Sequence, residues 1–199
     1  MAPMDAAFLL IRKNTGRKTM GDDTANRPSW DEYFLGLMDE VGNRATCDRG
    51  RSGCIVVRDK QIVCTGYVGS PPGFPHCDEA GHLMKGVIEE DGTSRMHCVR
   101  TIHAEQNAIC QAARHGISLK GSTLYCKMEP CRVCAMLIIS VGITKVIAKK
   151  KYHAAQETRE MFKHAGIEMS LVEDEVEQLS LIHISEPTDQ RGSRMPSSA

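Results

Sequence analysis

The stretch Thr101–Cys110, TIHAEQNAIC, decides the reading of this chain. Ala104, Ile109 and the other small or apolar residues suit a helix that packs inward. Yet the stretch opens with His103 and Glu105, polar residues that a core normally excludes. A second stretch, Glu129–Cys134, EPCRVC, raises the same question with two thiols. Cys131 and Cys134 lie about one helical turn apart, so both sulfurs can reach a single ion from the start of a helix. His103 can supply a third ligand from the start of the other helix. Two positive helix ends directed at one ion favour thiolates there. Zinc binds neutral imidazole and thiolate, and a catalytic zinc takes three protein ligands and keeps its fourth position open.

Glu105, two residues beyond His103, then stands beside the ion without ligating it. A carboxylate in that place can take a proton from water and deliver it to a ring nitrogen and a departing amine. His-x-Glu alone is a common solvated helix start, and Pro-Cys-x-x-Cys alone fits a structural zinc half-site or a redox pair. Together, in this order, they form the signature of zinc-dependent nucleobase deaminases.

The bulk properties agree with a small-molecule enzyme. The 199 residues suffice for one compact domain, with 41% hydrophobic residues. Twenty-five basic residues balance 25 acidic ones, which argues against a polyanion groove and hence against a nucleic-acid polymer as partner. No signal peptide or membrane-spanning run is visible, so the nine cysteines are expected in a reducing cytoplasm, buried, metal-bound or catalytic.

Residues 1–28 are polar and aperiodic and read as a loose leader, within which Met20 could be the true start. The domain is expected over 29–178. Ser29 caps a first helix whose apolar face is Tyr33, Phe34, Leu37, Met38 and Val41. Cys54–Val57 and Ile62–Thr65 form a hairpin around Asp59-Lys60. Residues 69–86 are dense in Gly and Pro and read as loop. Helices follow at Ala104–His115, about Cys131–Val141 and Ala154–Ala165. Strands are expected at Ser122–Cys126, Lys145–Ala148 and Ile167–Val172. The order implies an α/β fold, a three-layer α-β-α sandwich with a mixed sheet of about five strands. In the tail, 179–199, LSLIHISEPT and RMPSSA resemble the translation of a common sequencing adapter, and no function is expected there.

Beyond the signature, Thr46–Met84, His97–Cys126 and Pro130–Ile147 resemble deoxycytidylate (dCMP) deaminases, and the resemblance runs from about Arg27 to Val172. It implies a cytidine-deaminase fold, hydrolysis of dCMP to dUMP and ammonia, and a homo-oligomer, often a hexamer. Activation by dCTP and inhibition by dTTP are implied as well. Matched residue by residue, His103, Cys131 and Cys134 hold Zn2+ and Glu105 shuttles the proton. Asn107 lies in the HAExNA position, Arg114 where an arginine can serve nucleotide regulation, and Tyr152 where the nucleotide can be contacted. Two departures stand out: Val68 makes GYVG where the family has GYNG, and Glu129 precedes Pro130 where serine is common.

Some phage members carry a second, structural metal. Cys47, Cys77 and one of His97 or Cys98 are the candidates here, with His82 nearby; the alternative is that these cysteines are small buried residues. Cys54, Cys64, Cys110 and Cys126 sit in apolar runs and read as core. Competing functions are a deaminase acting on another nucleotide or base, of riboflavin-pathway, guanine or transfer-RNA adenosine type. A non-catalytic zinc protein serving assembly or DNA uptake is the reading from another class, and the intact Glu105 speaks against it.

Overall fold

The computed structural model describes residues 27–88 and 92–176. The expected leader, apart from Arg27 and Pro28, and the expected tail lie outside the described residues. Helix α1 spans Trp30–Gly42 and is capped reciprocally. The Glu32 N–H donates to Ser29 Oγ at 3.2 Å and the Ser29 N–H to Glu32 Oε2 at 2.8 Å. Its buried stripe is Phe34, Leu35 and Met38, with Leu37 and Val41 half-buried. Tyr33, expected inside, is exposed, because Leu35 takes the inward position.

Strands β1 (Gly53–Arg58) and β2 (Gln61–Tyr67) form the expected hairpin. Asp59 and Lys60 both adopt positive φ, the geometry that matches the twist of a two-residue turn. The 69–86 segment is not all loop. It holds a one-turn helix α2 (Cys77–Ala80) and the start of a second hairpin, β3 (Met84–Ile88) with β4 (Ser94–Cys98). Almost every residue of that hairpin is exposed or half-buried, so no hydrophobic alternation marks it in the sequence.

Next come α3 (Ala104–His115), β5 (Thr123–Met128), α4 (Arg132–Ser140), β6 (Lys145–Lys151), α5 (Gln156–Ala165) and β7 (Glu168–Val176). The main sheet has the order β2-β1-β5-β6-β7. β1 is antiparallel to β2 and β5, whereas β5, β6 and β7 run parallel, giving a mixed five-stranded sheet. One face packs on α1 through Ile55, Val57, Tyr125 and Ile147. The other face, with Val56, Leu124, Cys126, Val146 and Ala148, packs on Ala108, Ala112, Ala135, Ile138 and Phe162 of α3, α4 and α5. Alternating side chains along each strand supply the two faces, which produces the three layers.

The approach of α3 to β2 places the site. A side chain at Gly66 would put a Cβ 2.2 Å from the Ala104 carbonyl oxygen and 2.4 Å from the Ala108 nitrogen. Glycine therefore sets how close the first turn of α3 comes to the sheet.

Candidate metal centre and active site

His103 and Cys131 are both cap residues. Each is extended, with φ −70°, immediately before its helix, and Cys134 follows in the first turn of α4. The His103 N–H is satisfied by Gln106 Oε1 at 3.0 Å. Cap geometry turns these side chains off the helix ends and toward each other. His103 Nδ1 lies 3.5 Å from Cys131 Sγ and 3.4 Å from Cys134 Sγ. Zn–N and Zn–S bonds of about 2.0 and 2.3 Å at a tetrahedral angle require an N···S edge of about 3.5 Å. The donor set and its spacing both fit zinc.

Glu105 is buried within the first turn of α3, with Oε2 3.7 Å from Cys134 Sγ. Burial raises its carboxyl above the ordinary range, partly opposed by His103. The bond with Cys131 raises His103 to about 9. Cys131 is brought down to about 4 by the hydrogen bond from Cys134, with His103 adding to the effect. Cys134, donor in that bond and buried, is pushed far up. Three of the four groups thus hold their protons more tightly than usual, and only Cys131 gives its proton up readily. A divalent cation supplies in one charge what those protons supply, and lets both thiols ionise.

The remaining candidates divide. Asn107 Nδ2 donates to the Tyr67 carbonyl at 2.8 Å, and Ile102 pairs with Gly69, so the GYVG loop is tied to the start of α3. Val68 in that loop packs against the core. The Tyr152 N–H donates to Glu129 Oε2 at 3.0 Å, which joins the end of β6 to the turn that carries Cys131. Arg114 is exposed in the last turn of α3, at the opposite end of that helix from His103. It is not brought to the site.

A second donor group joins Cys47, Cys77, His82 and Cys98, whose ligand atoms all lie within 4.8 Å of one another. Cys77 Sγ is 3.6 Å from Cys98 Sγ, and Cys47 Sγ is 3.7 Å from His82 Nδ1. His82 Nε2 meets Asp48 Oδ1 at 3.0 Å, a carboxylate in place to orient the ring. Of the two alternatives for the third ligand the structure gathers Cys98 and not His97. Successive β4 residues point to opposite faces, so only one of the pair can face Cys77. The fourth donor, His82, has no spacing signal because it lies in the loop between α2 and β3. The sequence also gave no sign that Glu129 is fully buried and engaged by Arg159.

Away from the two donor groups, the surface between α4 and α5 is concave. This hollow of about 500 Å3 is lined by Ile139, Glu157, Glu160, Met161, His164 and Ala165. Its polar groups are already engaged: Glu157 with Arg132, Glu160 with Gln156 and His164.

A mixed sheet with a His–Cys–Cys donor set at two helix N-termini, and a buried carboxylate beside it, is the arrangement of the zinc-dependent deaminase class. More particularly, residues 28–150 match the cytidine and deoxycytidylate deaminase zinc-binding region, and the chain belongs to that family. It is 37% identical over 147 residues to ComE operon protein 2 of Bacillus subtilis, covering 74% of this chain and 73% of that protein. It is 36% identical over 142 residues to deoxycytidylate deaminase of Saccharomyces cerevisiae, covering 71% of this chain but only 44% of the yeast protein. The crystal structure of dCMP deaminase from the cyanophage S-TIM5 in complex with dCMP and dUMP has a TM-score of 0.59 and 27% identity. That match covers 73% of this chain and 98% of the phage chain. No helix among the described residues is long and apolar enough to cross a membrane.

Proposed function

We propose that this protein hydrolyses dCMP to dUMP and ammonia, with His103, Cys131 and Cys134 holding the zinc ion and Glu105 moving the protons. The buried Glu105 carboxylate, held against the His–Cys–Cys donors at the mouth of two helices, is the observation that carries this reading. When bound, the metal polarises water and supplies a nucleophile at neutral pH. Glu105 accepts the proton that water gives up and passes it to the pyrimidine ring nitrogen. Oxygen adds to C4 in that step; Glu105 then takes the remaining proton from the C4 hydroxyl and delivers it to the exocyclic amine, so that the C4–N bond breaks as the C4–O bond becomes a carbonyl. Water and dCMP are consumed, and dUMP and ammonia are released. A carboxyl raised by burial is a better proton acceptor than an ordinary carboxylate, which suits this work.

The GYVG loop, held by Asn107, and the segment at Tyr152 flank the centre and are our candidates for nucleotide contacts. Cys47, Cys77, His82 and Cys98 offer four donors with no open position, the pattern of a structural metal. That site would staple the base of the exposed β3–β4 hairpin to the domain. The family resemblance adds a homo-oligomer and dCTP and dTTP as effectors, with the exposed Arg114 free of the catalytic centre for such a role. Thiols without disulfide partners among the described residues suit a cytoplasmic setting.

The similarity to ComE operon protein 2, whose name states no substrate, leaves room for one second reading, a deaminase of this class with another nucleotide as substrate. Ammonia release from a panel of purified nucleotides and bases separates the two. Release from dCMP above all others supports the proposal; preference for a different nucleotide replaces it, and no release at all removes both.

A further inference from the structure

Two ion pairs cross from the turn that carries Cys131 to the first turns of α5. Glu129, two residues before Cys131, pairs with Arg159 in a fork: Nε to Oε1 at 2.8 Å and Nη2 to Oε2 at 2.6 Å. Arg132, the residue after Cys131, pairs with Glu157 through Nε and Oε1. The two pairs are not equivalent. The Glu129 side chain is 0% exposed and that of Arg159 25%, against 52% and 41% for Arg132 and Glu157. An exposed pair of long side chains contributes little. The buried carboxylate, by contrast, also accepts the Tyr152 N–H at 3.0 Å, and the Glu129 N–H donates to the Lys150 carbonyl at 3.0 Å.

A buried ion pair is a poor source of stability, because desolvating both charges consumes most of what their attraction returns. Apolar side chains of similar size would hold the same layer together about as well. What a forked, fully bonded carboxylate adds is a defined position: both oxygens are fixed in direction by three donors, and the chain leaves Glu129 directly into Pro130 and Cys131. The residues on one side of the clamp carry a metal donor, and those on the other carry Tyr152.

We infer that Glu129, acting through Arg159 and the Tyr152 amide, is a positioning residue for the metal centre, holding the Cys131 turn against β6 and α5 so that the donor triangle is set before metal binds. This rests on the reading that His103, Cys131 and Cys134 bind zinc. Loosening the clamp leaves all three ligands present and enlarges the range of Sγ positions, which weakens metal retention. Groups hydrogen-bonded directly to a metal ligand typically change metal affinity by about ten- to a hundredfold, and a group that acts through the backbone two residues away is expected at the lower end of that range.

The test uses the full zinc-loaded chain and its cobalt-substituted form. The rate of zinc loss to a chromogenic chelator, the cobalt–thiolate absorption and the melting temperature are measured for Glu129→Gln, for Glu129→Met with Arg159→Met, and for Glu157→Gln. Signals belonging to this centre are those absent from Cys131→Ala. Glu129→Gln is expected to lose zinc about tenfold faster or more, with an altered cobalt absorption. The double Met variant regains the melting temperature but keeps the fast loss and the altered absorption. Glu157→Gln changes neither. Zinc loss from Glu129→Gln within about twofold of the parent chain overturns the inference. So does a double Met variant that recovers zinc retention together with stability, since the pair is then merely structural. If Cys131→Ala keeps every metal signal, the zinc-site reading itself fails, and the inference falls with it.

Discussion

Asn107 donates a 2.8 Å hydrogen bond to the Tyr67 carbonyl, and this bond joins the helix that carries Glu105 to the loop that carries Val68. The loop backbone is fixed on its other side as well: the Val68 N–H donates to Ser52 O and the Thr46 N–H to Val68 O, each at 3.0 Å. Asn107→Ala removes the cross-tie and leaves a part-buried carbonyl without that donor, at a cost of about 1 kcal/mol or more. We predict a raised KM for the nucleotide with zinc content unchanged; steady-state kinetics beside metal analysis read the two separately.

Val68 places an apolar side chain where the family resemblance calls for an asparagine able to hydrogen-bond the sugar. With the loop backbone held, a change of side chain here should act locally. Val68→Asn is expected to raise kcat/KM for dCMP roughly fivefold, the kinetic equivalent of one restored bond of about 1 kcal/mol. An unchanged or lower value would mean that the sugar is held by other groups, or that dCMP is not the preferred substrate.

Gly66 sets the approach of α3 to β2. An added Cβ would meet the Ala104 carbonyl and the Ala108 nitrogen, both backbone atoms that cannot turn aside. Gly66→Ala should therefore displace the first turn of α3, and His103 and Glu105 with it, at a cost of about 1–3 kcal/mol or more. A lowered melting temperature together with lost zinc is the expected result. Normal zinc content in the folded variant would show that α3 can shift without disturbing the donors.

The second donor group predicts a metal content of about two ions per chain for the parent, one in each cluster. Cys77→Ala and His82→Ala should each lower it by about one ion, because a four-donor site does not tolerate a missing ligand, whereas His97→Ala should leave it unchanged. A His97→Ala variant that loses metal while His82→Ala keeps it would reverse the assignment of the fourth ligand.

Buried thiols give stability a pH limit on the alkaline side. Burial raises Cys64 from 9.0 to about 11, and raises Cys54 and Cys126 as well. Between 9.0 and about 11 the folded chain holds a Cys64 proton that the unfolded chain has released, so this contribution is complete below the unfolded value and is lost as pH rises toward and through the folded one. The melting temperature should begin to decline above about pH 9, and Cys64→Ala should make the decline shallower. Identical slopes in the two proteins would mean that Cys64 does not contribute.

Much of this was legible in the sequence, for physical reasons. Ser29 with Glu32, the Asp59-Lys60 turn, and Gly116 and Gly166 at helix ends are local signals that depend on near neighbours alone. The donors His103, Cys131 and Cys134 were readable because helix caps fix their directions, and the structure brings them together. The β3–β4 hairpin was not readable, since Val87, Ile88 and Met96 are exposed and no buried face imposes a period. His82 was noted beside the second donor group but not assigned as a ligand, and the Glu129–Arg159 pair was missed, because both bring distant segments together with nothing in spacing to announce the contact.

The central claim is that Glu105 moves protons at a metal centre whose ligands are other residues. Glu105→Gln keeps the size of the side chain and its place in the first turn of α3, but an amide does not carry the proton. The decisive measurement is kcat for dCMP in this variant, taken with its zinc content and melting temperature. We predict full metal loading, an unperturbed fold and loss of nearly all turnover. A variant that retains about a tenth or more of the parent kcat would contradict the assigned role.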